Sequence, residues 1–437
     1  MSAQIISITG LVLIFLCATL RSVNMGAVAF LGTFLLGTFV FGTSEDDLFA
    51  GFPGDLFVVL VGVTLLFAIA KHNGTVDWLV HTGVRAVRGR IALIPWVMFL
   101  VTGLLTMVGA VVPGAVAMMA PIGLNFAARY RISPMLMGLL IINGASAGGF
   151  SPISIFGSIT NGVVERSGLP GNPILLWISS LLFNTLLSIV VFFLFGGRKL
   201  LDRRVTATDA PPQDEHGGEP GGTATTTRTN TAVLTKATAL NTQRTATLAG
   251  LVVLAVGALV LEFDVGLLSM SIATVMILLW PQTTKTCVAE VAWPTVLLIC
   301  GVVTYVGLME SVGTIDYLGN SVAGIGIPLL AAFVICLIGS GVSAFASTTG
   351  ILGALIPLAV PFLHTGQIGA VGLIIALAIS SSVVDSSPFS TSGALVVAST
   401  PEDNRDATFR GLMVWGMSMI LVAPVLLFTI FVLPGWL

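Results

Sequence analysis

Long apolar runs recur along almost the whole chain, and each is close to the length that a helix needs to cross a bilayer, about 20 residues. The runs lie at 5–20, 25–42, 56–70, 91–109, 111–128, 135–162, 174–195, 248–261, 265–280, 293–309, 327–346, 350–363, 368–399 and 411–434. Only 9% of the 437 residues are charged, whereas a soluble domain carries about 25%. So few charges cannot cover a water-soluble surface, which excludes soluble enzymes and nucleic-acid binders. The sequence predicts an all-α polytopic membrane protein.

One stretch, 197–246, interrupts these runs. It is rich in Thr, Gly and Pro and almost empty of large apolar residues, so it cannot bury a core. We expect a disordered cytoplasmic linker here. It divides the chain into an N-terminal unit, 1–196, and a C-terminal unit, 247–437.

The two units resemble each other in sequence. Residues 73–79, NGTVDWL, return as 312–318, VGTIDYL, and residues 151–157, SPISIFG, return 236 positions later as 387–393, SPFSTSG. Two such matches in the same order are hard to obtain by chance. We therefore predict an internal repeat in which each half holds scaffold helices, an amphipathic arm, a hairpin and a broken helix.

The positive charges predict how the halves are oriented. If each half crosses the membrane five times, the second is inverted relative to the first, because five is odd. With both termini outside and the linker in the cytoplasm, all but one of the 18 Lys and Arg residues lie inside, the exception being Arg166. Two inverted-topology repeats are the plan of many secondary transporters, and we expect this one in the plasma membrane, the inner membrane of a bacterium.

The repeated Ser-Pro segments, 151–157 and 387–393, lie inside the long apolar runs 135–162 and 368–399. Serines, a proline and a glycine close together disfavour a continuous helix and are typical of a broken one. The free N–H groups of a broken helix can bind an anion, and its free carbonyl groups can bind a cation. The alternative is small-residue helix packing with an ordinary proline kink. Because the motif stands in corresponding positions of both halves, we favour two broken helices that form a binding site.

Two further segments, 111–114 (VVPG) and 347–350 (STTG), stand midway through paired apolar runs. They are typical of the tips of two re-entrant hairpins, one entering from each side: the cytoplasmic side in the first half and the outer side in the second. The alternative is a pair of ordinary spans joined by a loop, and the count of positive charges is the same for both.

Asp385 is the only charged residue deep inside an apolar run. A carboxylate within the membrane costs roughly 2.5–3.5 kcal/mol on insertion scales, so it indicates function by default. It can bind Na⁺ through oxygen or carry a coupling proton; the alternative is a carboxylate satisfied by neighbouring hydroxyl and N–H groups.

Other chemistries have no support in the sequence. There is no GxxxxGK[ST] phosphate loop, so direct coupling to ATP has no support in the sequence. The four histidines fall in arms or loops, which leaves no metal cluster and no base beside Ser392 for an intramembrane hydrolase. We expect no enzyme.

Several motifs resemble the ion transporter superfamily, and in particular its malonate/dicarboxylate carrier (MatC-type) branch, which is related to divalent anion:Na⁺ symporters. The closest local matches are 51–57 (GFPGDLF), 61–67 (VGVTLLF), 73–79 (NGTVDWL) and 381–391 (SSVVDSSPFST). The resemblance implies a homodimer in which scaffold helices hold two mobile transport domains. Each domain would contain two opposed hairpins and two broken helices, and would move across the membrane like an elevator.

Relatives in the superfamily carry Ser-Asn-Thr at each hairpin tip. Here 347–349 is Ser-Thr-Thr, a partial match, whereas 111–113 is Val-Val-Pro and supplies no side-chain donors. First-half contacts are therefore expected to shift to the broken helix. The candidate substrate ligands are Ser151, Ser154, Ser347, Thr348, Thr349, Ser387, Ser390 and Thr391. The candidate cation ligands are Asn143, Ser146, Gly148, Gly149, Asp385 and Ser386, with Na⁺ expected near Asp385 and Asn143.

The charge balance of this site predicts coupled transport. No Lys or Arg lies in it, and each helix end supplies only about half a charge. A dianion beside an ionised Asp385 therefore needs a co-bound Na⁺ or a proton on Asp385. We expect a secondary transporter of a small dicarboxylate such as malonate or succinate, coupled to cation symport with Na⁺ preferred over H⁺, and no other cofactor.

Three alternatives stay open at this point. The same scaffold can carry a sugar acid or a tricarboxylate, it can exchange a cation for a proton through Asp385, or the chain can form a channel. A channel needs a continuous polar pore, whereas the hydroxyl groups here cluster at two breaks.

Overall fold

Helices account for every regular element in the part of the chain that the structure describes. The computed structural model describes residues 3–21, 23–76, 78–79, 82, 90–201, 241–261, 263–314, 317, 328–344, 348–364 and 368–435. Six segments are long and apolar enough to cross a membrane: Gly54–His72, Pro173–Leu194, Thr242–Leu259, Trp293–Ser311, Ala370–Ser399 and Glu402–Phe431. The predicted all-helical, multi-pass membrane protein is confirmed at this level.

The first half begins with two apolar helices and a short acidic helix, and it continues with a series of closely packed helices. Its helices are α1 (Ala3–Arg21), α2 (Met25–Phe34, continued as a π-helix over Leu35–Phe41), α3 (Glu45–Ala50), α4 (Gly54–His72), α5 (Ile94–Met107), α6 (Val112–Tyr130), α7 (Pro134–Gly149), α8 (Ile155–Arg166) and α9 (Pro173–Leu194). Proline stands in the first turn of α5, α6, α7 and α9, where its missing N–H group breaks no intrahelical hydrogen bond.

The second half repeats this order of elements. Its helices are α10 (Thr242–Leu259), α11 (Val265–Leu279), α12 (Thr284–Ala289), α13 (Trp293–Ser311), α14 (Pro328–Ser343), α15 (Thr348–His364), α16 (Ala370–Val383), α17 (Thr391–Ser399) and α18 (Glu402–Phe431). A short 3₁₀ turn, Val384–Ser386, follows α16 directly. The Asn241 and Asp264 side chains cap α10 and α11 by accepting backbone N–H groups, a usual role for these residue types.

The predicted linker, 197–246, is too long at both ends. Gly197–Leu200 form a 3₁₀ turn after α9, with Leu200 buried, and α10 begins at Thr242 under the Asn241 cap. The polar composition of these edges hid them, because caps and turns use the same residue types as linkers. Residues 202–240 lie outside the described residues.

Both long apolar runs that contain a Ser-Pro segment are interrupted, as predicted. In the first half α7 ends at Gly149 and α8 begins at Ile155. In the second half α16 ends at Val383, and α17 begins at Thr391. The two broken helices are neighbours, because α17 and the turn after α16 both pack against α7.

Glycines bring α2 and α4 of the first half into close contact with α13 and α11 of the second half. A Cβ atom on Gly301 of α13 would lie 2.1 Å from the carbonyl oxygen of Gly26 on α2. In the matching contact, a Cβ atom on Gly62 of α4 would lie 2.9 Å from the carbonyl oxygen of Gly266 on α11. Such small residues let backbones approach where lipid supplies no hydrophobic driving force.

Other elements of the two halves also contact each other in equivalent pairs. Ser7 of α1 hydrogen-bonds to Thr314, just after α13, with 2.7 Å between the hydroxyl oxygens. Asn73, just after α4, donates from its amide to the Thr247 hydroxyl of α10 at 2.6 Å. In the interior, α8 packs on α15 while α17 packs on α6. Each contact from the first half to the second thus has an equivalent contact from the second half to the first. The inverted orientation of the two halves stays a prediction.

Candidate functional site

Ser154 organises the turn between α7 and α8. It is the N-cap of α8, and its hydroxyl oxygen accepts a hydrogen bond from the Gly157 amide at 3.3 Å. The same hydroxyl donates to the carbonyl oxygen of Ser151 at 2.6 Å and to that of Gly149. One side chain therefore ties the end of α7 to the start of α8.

Ser390 does the same between α16 and α17. Its hydroxyl oxygen accepts from the Gly393 amide at 3.3 Å, and it donates to the carbonyl oxygens of Ser387 at 2.7 Å and Asp385 at 2.6 Å. The Ser-Pro, capping serine and glycine positions of the two turns correspond at a separation of 236 positions.

Glycine is required where each half-helix begins. A Cβ atom on Gly157 would lie 1.9 Å from the carbonyl oxygen of Ser151, and one on Gly393 would lie 1.9 Å from that of Ser387. Real Cβ atoms do not approach an oxygen so closely, so the motif Ser-Pro-x-Ser-x-x-Gly encodes this turn: serine caps the helix and glycine makes room for it.

Asp385 lies in the 3₁₀ turn after α16 and is 3% exposed. Among the described residues it is the only charged residue that is buried. Ser392 donates from its hydroxyl to the Asp385 carboxylate at 2.5 Å. The carboxylate therefore stands at the N-terminal end of α17, where the helix dipole favours negative charge.

The equivalent place in the first half carries different chemistry. Gly149 stands where the second half has Asp385, and Phe156 stands where it has Ser392. A Cβ atom on Gly149 would meet the Phe156 ring at 3.3 Å, and the Phe150 and Phe156 rings pack with centroids 5.5 Å apart. One turn is thus acidic and the other aromatic.

The predicted cation ligands of the first half lie on the buried face of α7. Asn143 donates from its amide to the Ser188 hydroxyl of α9 at 3.1 Å, and the buried Ser146 hydroxyl has no hydrogen-bond partner. Gly148 serves close packing, because a Cβ atom there would lie 1.9 Å from the Gly103 carbonyl oxygen of α5. In the second half, the Ser386 hydroxyl donates to the Val383 carbonyl oxygen at 2.9 Å.

A cavity of about 470 Å³ opens at the beginnings of α6, α15 and α17. Val111 and Pro113 contribute from the start of α6, Thr349 and Gly350 from the start of α15, and Thr391 from the start of α17. Parts of α1, α2 and α13 close the other side. The cavity therefore brings together the beginnings of three helices that the sequence motifs singled out.

The predicted substrate ligands divide into two groups around this cavity. Thr349 and Thr391 line it, whereas Thr348 turns its hydroxyl to Ser343 at 2.9 Å. The serines of the two turns do not line the cavity and are buried: Ser151, Ser154, Ser387 and Ser390. Ser347 lies outside the described residues.

Sequence reasoning missed two groups of polar residues. Asn24 and Thr295 line the cavity from the side of α2 and α13, and Asn24 donates from its amide to the Pro294 carbonyl oxygen at 2.8 Å. The second group, Ser180, Asn184 and Ser188, is fully buried against α7. Its spacing of four residues inside an apolar run was visible in the sequence, since such residues share one helix face.

These features define a multi-pass membrane protein with a cavity at the beginnings of α6, α15 and α17. Residues 1–149 match the family described as the dicarboxylate carrier protein MatC N-terminus. Over that part of the chain the match confirms the resemblance to the malonate/dicarboxylate carrier branch, and it indicates a transporter rather than an enzyme. No curated protein matches the chain.

Proposed function

We propose that the protein is a secondary active transporter that carries a small dicarboxylate, of malonate or succinate size, together with a cation. The observation that carries this proposal is the cavity at the start of α6, α15 and α17, lined by the Thr349 and Thr391 hydroxyl groups. The carrier family that matches residues 1–149 supports the same substrate class.

Helix ends and hydroxyl groups supply the attraction for a carboxylate in this cavity. Thr349 and Gly350 stand in the first turn of α15, and Thr391 is the first residue of α17. A helix N-terminus presents free N–H groups and about half a positive charge. No Lys or Arg is among the described residues that line the cavity, so neutral donors would hold the substrate.

The charge balance then requires a coupling cation. Asp385 lies near the start of α17, behind Thr391, and already accepts the Ser392 hydroxyl. A dianion bound at the same helix end would repel an ionised Asp385, and two helix ends offset only about one charge. Co-bound Na⁺ removes this deficit, as does a proton on Asp385, and oxygen-rich surroundings favour Na⁺.

Transport would follow an elevator movement of two inverted repeats. The glycine contacts of α2 with α13 and of α4 with α11 support a scaffold built from both halves. α5 with α6, and α14 with α15, stand in corresponding positions of the two halves, and each pair would enter the membrane as a re-entrant hairpin. The moving body would comprise α5–α9 and α14–α18, and the scaffold would also form the homodimer contact.

Uptake into proteoliposomes tests the proposal directly. Purified protein should accumulate radiolabelled malonate or succinate in a saturable way when Na⁺ is present outside, and should exchange internal for external substrate. Replacing Na⁺ by choline at fixed pH should abolish accumulation. Unchanged uptake in choline would exclude Na⁺ coupling, and non-saturable flux without counterflow would indicate a channel.

A further inference from the structure

A polar cluster joins the C-terminal half of α7 to the middle of α9. Ser180 donates from its hydroxyl to the Ser146 carbonyl oxygen at 3.2 Å. The Asn184 amide nitrogen lies 2.9 Å from the Ser180 carbonyl oxygen and 3.3 Å from the Ser180 hydroxyl. All three residues are at most 1% exposed, so these groups are fully enclosed in protein.

Two oxygen atoms of this cluster have no hydrogen-bond partner. They are the Ser146 hydroxyl oxygen and the Asn184 side-chain carbonyl oxygen. The orientation of the Asn184 amide is fixed by chemistry, because the atom facing the Ser180 carbonyl oxygen must be the donor. A buried polar group without a partner costs about 1–3 kcal/mol, so two such groups in one hydrogen-bonded cluster leave two oxygen acceptors available to a ligand.

Six other buried side-chain atoms of the described residues also lack a partner, but Ser146 and Asn184 are joined through the hydrogen bonds of Ser180. Many other buried hydroxyl groups are satisfied within their own helix. Thr64, Thr102 and Thr304 each donate to the carbonyl oxygen one turn earlier, at 2.6–2.7 Å. Such internal bonds satisfy a hydroxyl group inside a membrane helix. Ser146 sits in the same kind of helix and does not make the bond, so its oxygen is left for another partner.

The electrostatics of the cluster favour a cation. Ser146 lies in the last turn of α7, where backbone carbonyl groups lack intrahelical donors and the helix dipole is negative. The turn that carries Asp385 packs against α7, which adds a negative charge nearby. Half-helix C-terminal ends with exposed carbonyl groups are a recurring way of coordinating Na⁺ in transporters.

We propose that α7 and α9 together form a binding site for an alkali metal cation, with Ser146, Ser180 and Asn184 as its oxygen ligands. The inference deepens the proposed cation-coupled transport and rests on it. It also distinguishes the coupling ions, because amide and hydroxyl side chains do not titrate near neutral pH. This cluster can bind Na⁺ but cannot carry a proton.

The first hairpin explains why α9 would supply these ligands. Its tip, Val111 to Pro113, offers no side-chain oxygen. The second half has no counterpart of the cluster, since Gly416 and Ile420 stand where the first half has Ser180 and Asn184. The two halves therefore differ in two ways. The second half alone has the Asp385 carboxylate, and the first half alone has the neutral oxygen atoms of Ser180 and Asn184.

Thermal unfolding of the full-length protein in detergent, in NaCl and in choline chloride without substrate, tests the site. Wild-type protein should show a saturable, Na⁺-dependent rise in melting temperature. Ser146→Ala and Asn184→Leu should each weaken the apparent Na⁺ affinity by at least about tenfold, since even outer partners of a bound metal contribute 10–100-fold. Asn184→Asp keeps an oxygen ligand and should retain the response, which covers the case in which Asn184→Leu does not fold.

Ser382→Ala is the matched control. Ser382 stands 236 positions after Ser146, but its hydroxyl donates to the Ile379 carbonyl oxygen at 2.9 Å. This variant should keep the wild-type response to Na⁺.

Two outcomes would overturn the inference. The first is no Na⁺-dependent shift in wild-type protein; the second is an unchanged Na⁺ response in Ser146→Ala and Asn184→Leu, which would mean that the cluster holds a structural water only. Substrate uptake in proteoliposomes separates these results from the proposed function. Na⁺-driven malonate uptake that is unaffected in both variants would retain the transporter and reject this site.

Discussion

The Ser392 hydroxyl donates a hydrogen bond to the Asp385 carboxylate across the break between α16 and α17. This bond places the only buried charge of the described residues at the start of a half-helix, where Ser392 directly follows the cavity-lining Thr391 in sequence. The hydrogen bond stabilises the Asp385 carboxylate within the membrane. It also keeps a negative charge at the helix end that contributes Thr391 to the cavity.

Asp385→Asn should uncouple the protein from its cation. The substitution keeps the shape of the side chain and the Ser392 contact but removes the charge, and hydrogen bonds to charged groups contribute about 1.5–3 kcal/mol. We expect Na⁺-driven malonate accumulation to fall by at least about tenfold, because about 1.4 kcal/mol corresponds to a factor of ten. Initial rates in proteoliposomes with and without a Na⁺ gradient measure this.

Asp264→Asn is the control for that substitution. Asp264 is an exposed N-cap of α11, and Asn caps a helix about as well as Asp. Its transport should match the wild type. Full Na⁺-coupled uptake by Asp385→Asn would remove Asp385 from the coupling mechanism.

The glycines that begin α8 and α17 should not tolerate a methyl group. Gly157→Ala and Gly393→Ala each place a Cβ atom 1.9 Å from a backbone carbonyl oxygen, and overpacking typically costs about 1–3 kcal/mol. Each variant should melt at a lower temperature than wild type. Gly54→Ala is the control, because nothing lies within 4 Å of the added atom; equal melting temperatures for all three would contradict the turn described above.

The two threonines that line the cavity should determine substrate affinity. Thr349→Val and Thr391→Val keep the side-chain volume and remove a hydroxyl group, and one hydrogen bond to a charged ligand is worth about 1.5–3 kcal/mol. We expect the KM for malonate to rise by about tenfold or more in each, with little change in melting temperature.

Thr274→Val provides the comparison for these variants. Thr274 is exposed on α11 and donates to the Met270 carbonyl oxygen at 2.8 Å, far along the chain from the hairpins. Its KM should equal that of the wild type. An unchanged KM in both cavity variants would show that the substrate does not bind between the hairpins.

Much of the local structure was predictable because particular residues have one physical use. Ser154 and Gly157, with their counterparts Ser390 and Gly393, encode a capped half-helix in which each serine makes three short-range hydrogen bonds. The sequence motif is therefore sufficient to place the breaks. Burial of Asp385 was also predictable, since an apolar run of that length leaves no route to water.

The rest depends on how distant segments pack, which no local motif encodes. Thr348 and Thr349 are neighbours in sequence, yet only Thr349 lines the cavity, because Thr348 contacts Ser343 of the preceding helix. The approach of α9 to α7 likewise brings Ser180 to Ser146, 34 positions earlier in the sequence. Side-chain ligands that come from a second helix are visible only once the helices are docked.

The elevator movement predicts which ion pair must break during transport. Arg166, at the end of α8, pairs with Asp55, in the first turn of α4; these helices belong to the proposed moving body and scaffold. Lys71 of α4 pairs with Glu290 at 3.1 Å, and both residues belong to the proposed scaffold. Replacing each pair by two cysteines, with Cys17→Ser to remove the exposed native thiol, allows the two contacts to be joined by a bifunctional thiol reagent.

Crosslinking Asp55→Cys to Arg166→Cys should arrest malonate uptake almost completely, because it fixes α8 to α4 in one position. A cleavable reagent should restore uptake when it is reduced. Crosslinking Lys71→Cys to Glu290→Cys should leave uptake unchanged, because those residues would move together. Both pairs should crosslink to a similar extent on denaturing gels, so that the comparison is matched. Full uptake by protein crosslinked between α4 and α8 would contradict a sliding movement between these helices and favour transport by local gating of the hairpins.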